Sequence, residues 1–260
     1  MVAYRSLQRE GPALRIITES IDLPRTGGVM RAFVARPAQN GRWSALAFYS
    51  DIFQITESTK RTVERFAGYG FVVAAPEIYW RFEAPGTAFA FDDAGRDRGN
   101  LHARTMRVSD FDDDIRALLE ALPAWDFVDP NALGAVGFCT GGHIALRAAF
   151  SPRVRTTALF YPTGLHDGEL AGGKDAGSLA RLREIRGFLL AIFGTLDPHT
   201  PADGRALIAQ RFADSGIRHH VSLYEAEHAF MRDVGPRYDP QLTDEAFAEA
   251  IAVLKTGGNP

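Results

Sequence analysis

From residue 14 onward the apolar positions fall into short unbroken runs separated by segments of helical period. Within residues 14 to 36 two alternating stretches flank Thr26-Gly27-Gly28, and alternation about a Gly-Gly turn predicts an antiparallel hairpin. The later runs are Ala45-Leu46-Ala47-Phe48-Tyr49, Phe71-Val72-Val73-Ala74-Ala75, Leu133-Gly134-Ala135-Val136, Thr157-Ala158-Leu159-Phe160-Tyr161, Phe188-Leu189-Leu190-Ala191-Ile192-Phe193 and His220-Val221-Ser222-Leu223-Tyr224. Runs without a polar face suit strands covered on both sides. Between them the spacing predicts helices over 58–69, stopped by Gly70, and over 108–122, 143–150, 202–215 and 243–255. Strand and helix alternate, so the sheet is expected to be mostly parallel, with helices on both faces. No repeat or long linker interrupts the pattern, the glycine-rich 164–177 stretch reads as a surface loop, and 1–260 reads as one domain.

The strongest local signal is Gly137-Phe138-Cys139-Thr140-Gly141-Gly142, set between a predicted strand and a predicted helix. It is a G-x-S-x-G elbow with sulfur in place of the hydroxyl. A tight strand-to-helix turn forces its central residue into strained geometry, and the flanking glycines allow close chain approach. The start of a helix also favours the thiolate, the nucleophilic form. Two other uses fit the hexapeptide alone: a buried small hydrophobe, or a phosphate-binding turn. The partners favour chemistry. In folds with this elbow the acid and the histidine follow the nucleophile along the chain, and here Asp197 and His228 each lie just beyond an apolar run. His228 would take the thiol proton, and Asp197 would hold the imidazole in the useful tautomer. The oxyanion formed on attack needs two N–H donors, expected from Thr140 and Ile52.

Cys139 is the chain's single cysteine, which excludes an intramolecular disulfide and a zinc site of the thiolate kind. With 29 basic and 32 acidic side chains the net charge is −3, so no overall field favours nucleic acid or anionic lipid, and small molecules are the expected ligands. The first twenty residues contain no apolar run of leader length and nothing later approaches a membrane span, so a cytoplasmic protein is expected, with oligomeric state left open.

These residues resemble the dienelactone hydrolase family, also called carboxymethylenebutenolidases. The likeness is carried by Asp51-Ile52-Phe53, by Pro76-Glu77-Ile78-Tyr79 through Ala84-Pro85-Gly86-Thr87, by the elbow, and by Glu227-His228-Ala229-Phe230 with Arg232. The resemblance implies an α/β-hydrolase fold, no cofactor, and cleavage of a cyclic enol ester through an acyl-enzyme on Cys139. It also implies a carboxylate that helps control the thiol. The family usually has glutamate there, and this chain has Asp51, for which a turn or helix-cap role is the other reading. Of the two arginines the family uses for a substrate carboxylate, Arg232 matches one, with a surface pair to Asp233 or Glu227 as the alternative. Arg96, Arg98 and Arg104 are candidates for the other.

Phe53, Tyr79, Trp80 and Phe82 are expected on loops rimming the site, or else in ordinary packing. The acidic run Asp110, Asp112, Asp113 and Asp114 reads as the negative start of a helix. His143, His199, His219 and His220 lack metal-ligand spacing, His102 and His166 fall in expected loops, and no metal is assigned. The expected function is hydrolysis of a small ester or lactone bearing a carboxylate. The alternatives are a non-catalytic binder on the same scaffold, or a thioesterase or acyl transferase using the same triad.

Overall fold

The computed structural model describes residues 14–172 and 175–258. The start of the N-terminal stretch read for a leader, and two positions of the glycine-rich 164–177 loop, lie outside the described residues. The strands are β1 (Ile16–Arg25), β2 (Gly28–Pro37), β3 (Trp43–Tyr49), β4 (Phe71–Pro76), β5 (Val128–Phe138), β6 (Val154–Phe160), β7 (Phe188–Gly194) and β8 (Arg218–Tyr224). They form one eight-stranded sheet in the order β1-β2-β4-β3-β5-β6-β7-β8. The β1–β2 hairpin turns at Gly27 (φ 90°) and joins the sheet antiparallel to β4, and every pairing from β4 to β8 is parallel.

Parallel strands need coverage on both faces, and the apolar runs supply it by sending alternate residues to opposite sides. Ala45, Ala47, Val72, Ala74, Leu133, Ala135, Leu159, Leu189 and Ala191 join one core; Leu46, Phe48, Val73, Ala75, Val136, Ala158, Leu190 and Ile192 join the other. Helices α3 (Val108–Ala121), α4 (Thr140–Ala148) and α5 (Ala202–Ser215) close the first core with Phe111, Leu118, Ile144 and Phe212. Helices α1 (Glu57–Ala67) and α6 (Pro240–Thr256) close the second with Val63, Phe66, Phe247 and Ala250. The mostly parallel sheet expected from the alternation is thus present, with its N-terminal hairpin, in the α/β-hydrolase arrangement that the resemblance implies.

Two expectations are corrected. Strand β5 begins at Val128, ahead of its apolar run, because the register shifts between Trp43 and Ala45 as it pairs with β3. Residues 93–105 form a helix, α2 (Asp93–Thr105), and His102 lies in it, not in a loop. This segment has no apolar stripe; only Gly95 and Gly99 are buried, so the period that marks helices in sequence is missing. The acidic run stands at the start of α3, as expected, and has further partners. Asp110 accepts from the Arg107 N–H at the start of α3 as expected, but Asp112 grips the buried Arg147, and Asp114 grips Arg81 and the Trp80 indole.

The turn between β5 and α4 sets a tight packing constraint. A Cβ on Gly137 would lie 1.9 Å from the Gly141 carbonyl oxygen, and one on Gly141 would lie 2.1 Å from the Tyr49 carbonyl oxygen. Neither neighbour is a flexible side chain, so the backbone itself would have to move. Gly137→Ala is expected to destabilise the protein by at least about 2 kcal/mol, read from the midpoint of urea unfolding. An unchanged midpoint would show that the turn can open without cost.

Candidate functional site

Ligands of parallel sheets bind beyond the carboxyl ends of the strands, and the sequence-predicted residues collect there. Asp51, Ile52 and Phe53 follow β3, Cys139 follows β5, Asp197 follows β7, and His228 follows β8. Cys139 sits at φ 57°, ψ −124°, a conformation disfavoured for a residue with a side chain. It is held there from both sides. Its N–H donates to Phe160 O at 3.0 Å, and its carbonyl accepts from Gly142 at 2.9 Å and Thr163 at 3.2 Å.

His228 Nδ1 donates to Asp197 Oδ2 at 2.7 Å, with both side chains buried. The other Asp197 oxygen accepts from the His199 N–H at 2.8 Å, which fixes the carboxylate in its turn. Burial opposes a charge on the His228 imidazole. The negative charge of a Cys139 thiolate and the hydrogen bonds to Asp197 and to the sulfur outweigh it, and the pKa is pushed up to about 10. Tyr161, itself at φ 38°, packs edge-on against the His228 ring at 5.3 Å.

Cys139 and His228 open on a cavity of about 370 Å³, whose wall also includes Ile52, Phe53, Phe91, Thr140 and Thr163. Larger depressions of about 450 and 500 Å³ lie elsewhere on the surface and contain none of these groups. Among the described residues, the N–H groups of Thr140 and Ile52 donate to no backbone or side-chain acceptor. Thr140 is the first residue of α4, so its free N–H follows from the helix geometry.

Arg232 also reaches the cavity. Its Nη2 donates to Asp51 Oδ2 at 2.7 Å, and its guanidinium lies 4.9 Å from the Phe53 ring centre and 4.6 Å from that of Phe91. The surface alternatives do not occur: Asp233 binds Arg61, and Glu227 faces Arg237 at 3.7 Å. Asp51 makes the turn that is one of its two readings. One oxygen accepts from the Phe53 N–H at 2.9 Å and the other from Arg232, so neither is hydrogen-bonded to the sulfur. It is not the helix cap either, since Thr56 caps α1.

Tyr79, expected on the rim, is fully buried and does not line the cavity; nor do Trp80 or Phe82. Of the arginines considered for a second position, Arg96 lines the cavity, Arg98 is held by Glu83 at 2.6 and 2.7 Å, and Arg104 lies off the wall. Helix α2 brings Arg96 and Asn100 to the rim because Gly99 lets it approach Ile52: a Cβ there would lie 2.4 Å from the Ile52 carbonyl oxygen. Arg237 and His199 are lining residues that sequence reasoning passed over. Burial, and then the neighbouring His228, hold His199 below its ordinary pKa.

The model of the dienelactone hydrolase family matches residues 30–257. The chain belongs to the dienelactone hydrolase family. A Saccharomyces cerevisiae protein provisionally named carboxymethylenebutenolidase is 33% identical over 240 residues, covering 88% of each chain. The carboxymethylenebutenolidase of a Pseudomonas species is 27% identical, over 92% of this chain and 96% of its own. A Klebsiella pneumoniae crystal structure, provisionally titled a dienelactone hydrolase, superposes with a TM-score of 0.81 at 21% identity, covering 93% of this chain and 99% of that one. Membership makes this dienelactone hydrolase relative a hydrolase acting on esters. Among its described residues, no helix is long and apolar enough to cross a membrane.

A folded-state pKa above the ordinary imidazole value of 6.5 contributes stability that is complete below 6.5 and is lost as pH rises through about 10. Removing the sulfur should lower that upper limit. In Cys139→Ala the His228 titration, followed by NMR of the imidazole, is expected to move down from about 10. A titration that stays in place would mean that the thiol has no bearing on the imidazole.

Proposed function

We propose that the protein hydrolyses a small, carboxylate-bearing ester or lactone through a Cys139-His228-Asp197 triad. The observation that carries this reading is the short Asp197–His228 hydrogen bond beside a strained Cys139 on one cavity wall. His228, oriented by Asp197, would take the Cys139 proton and leave a thiolate–imidazolium pair for attack.

In the proposed reaction the Cys139 sulfur bonds to the acyl carbon and the carbonyl π electrons move to oxygen. The Thr140 and Ile52 N–H groups would receive that oxyanion. Collapse breaks the bond to the leaving oxygen, which takes the proton from His228, and leaves a thioester. Water then attacks the thioester, giving one proton to His228 and its hydroxyl to the acyl carbon. Expulsion of sulfur releases the acid, which ionises into solvent, and restores the thiolate–imidazolium pair. Asp197 keeps Nδ1 protonated, so that Nε2 faces the sulfur and the leaving group. Arg232 would take the substrate carboxylate, and Asp51 would hold it ready.

The decisive experiment is mass spectrometry of enzyme quenched during turnover of an aryl ester. A product burst equal to enzyme, with acyl mass on Cys139, is expected. Cys139→Ala should lose at least about 1,000-fold in kcat with its unfolding midpoint little changed, since the turn is made by glycines and the sulfur is needed only for attack. Turnover without acyl mass, or a few per cent of activity in Cys139→Ala, would reject the nucleophile. A separate comparison tests Arg232. Arg232→Met is expected to raise KM roughly 10-fold for carboxylate-bearing substrates, the scale of one charge-assisted hydrogen bond, and to leave neutral esters of equal size nearly unaffected. Equal losses on both sets would remove Arg232 from substrate recognition.

A further inference from the structure

His199 has no part in the proposed reaction, yet the fold sets it against the base. Its ring lies 4.5 Å from that of His228, close to edge-on, and it lines the cavity from an exposed position. One donor atom each from Asp197, His199 and His228 lies within 4.8 Å of the other two. Asp197 and His199 are separated only by Pro198, whose fixed φ stiffens the loop, and the His199 N–H is already bound to Asp197 Oδ1. Two of the three donors are therefore on one rigid turn, and the third is hydrogen-bonded to it.

Tetrahedral zinc with bonds of about 2.0–2.2 Å places its ligands about 3.4 Å apart; to accept it, the Asp197–His228 contact at 2.7 Å would release its Nδ1 proton to solvent and open, and the exposed His199 ring would turn in. The donor set selects among metals. Two imidazoles and one carboxylate suit zinc and its neighbours in the first transition row, whereas magnesium and calcium require oxygen ligands. The position also sets the effect, because an imidazole held by a metal is no longer a base of ordinary strength.

We propose that Asp197, His199 and His228 form a site for a zinc-like divalent cation, and that its occupation reversibly blocks the hydrolase by capturing the catalytic base. The inhibition rests on His228 being that base; the binding does not. Binding and turnover are therefore measured separately.

The test is calorimetric titration of the whole protein with Zn2+ alone, paired with the visible spectrum of the Co2+-loaded protein. One equivalent of Zn2+ should bind, and Co2+ should give the intense d–d absorption of a four-coordinate site. His199→Ala should weaken binding of both ions roughly 100-fold and abolish the Co2+ bands, with an unchanged melting temperature showing that the fold is intact. Cys139→Ala should still bind Zn2+, and Mg2+ should not bind. Zinc binding that survives His199→Ala but is lost in Cys139→Ala would mean that the metal sits on the thiol alone and would overturn the site, as would equal affinity for Mg2+. Zinc that binds through His199 but leaves ester turnover unaffected would instead refute the role of His228 as base, with the metal site standing.

Discussion

The backbone at Cys139 is the constraint on which the rest of the site depends. A side chain at φ 57°, ψ −124° is sterically unfavourable, and the conformation survives only because its surroundings over-determine it. Three hydrogen bonds, to Phe160, Gly142 and Thr163, hold the residue from the neighbouring strand, its own helix and the following loop. Gly137 and Gly141 let chain segments approach to distances that any side chain would forbid. The same turn that lifts the sulfur to the strand end starts α4 at the next residue, so the free Thr140 N–H is a by-product of the bend that turns the sulfur to the cavity.

The remaining groups are held by short loops on a sheet with two full cores, which is why chemistry on several different strands can share one cavity. Asp197 illustrates the economy: one oxygen orients the His228 imidazole while the other secures its own turn through His199. Arg232 is fixed by a comparable doubling, with an ion pair to Asp51 on one side and the faces of Phe53 and Phe91 around it. A guanidinium held in this way loses little side-chain freedom when it meets an anion.

How much was legible in the sequence follows from which interactions are local. The runs around Phe71 and Phe188 declare buried strands because every residue in them is apolar, and the elbow declares itself because its glycines are adjacent in sequence. Asp197 and His228 are legible because the fold orders them along the chain. Other features depend on contacts between distant residues. The partner of Asp51 lies 181 residues away in Arg232, and no spacing in the sequence announces it. Tyr79 reads as a rim residue because it follows a strand, yet the loop turns it inward until it is fully buried. His199 looks like an unremarkable loop residue until β7 and β8 are paired side by side.

Helix α2 was the least legible element, and the reason it was hidden has a consequence of its own. It seats on the loop after β3 and on Ala90 through the bare backbone at Gly99 and Gly95, and on Glu83 and the surrounding rings through Arg98 and His102. Arg96 and Asn100, which face the cavity, therefore take no part in anchoring the helix that carries them. Substitutions at those two positions can redraw what the pocket admits at little risk to folding, whereas the glycines cannot drift. The helix thus separates a fixed mount from a replaceable face.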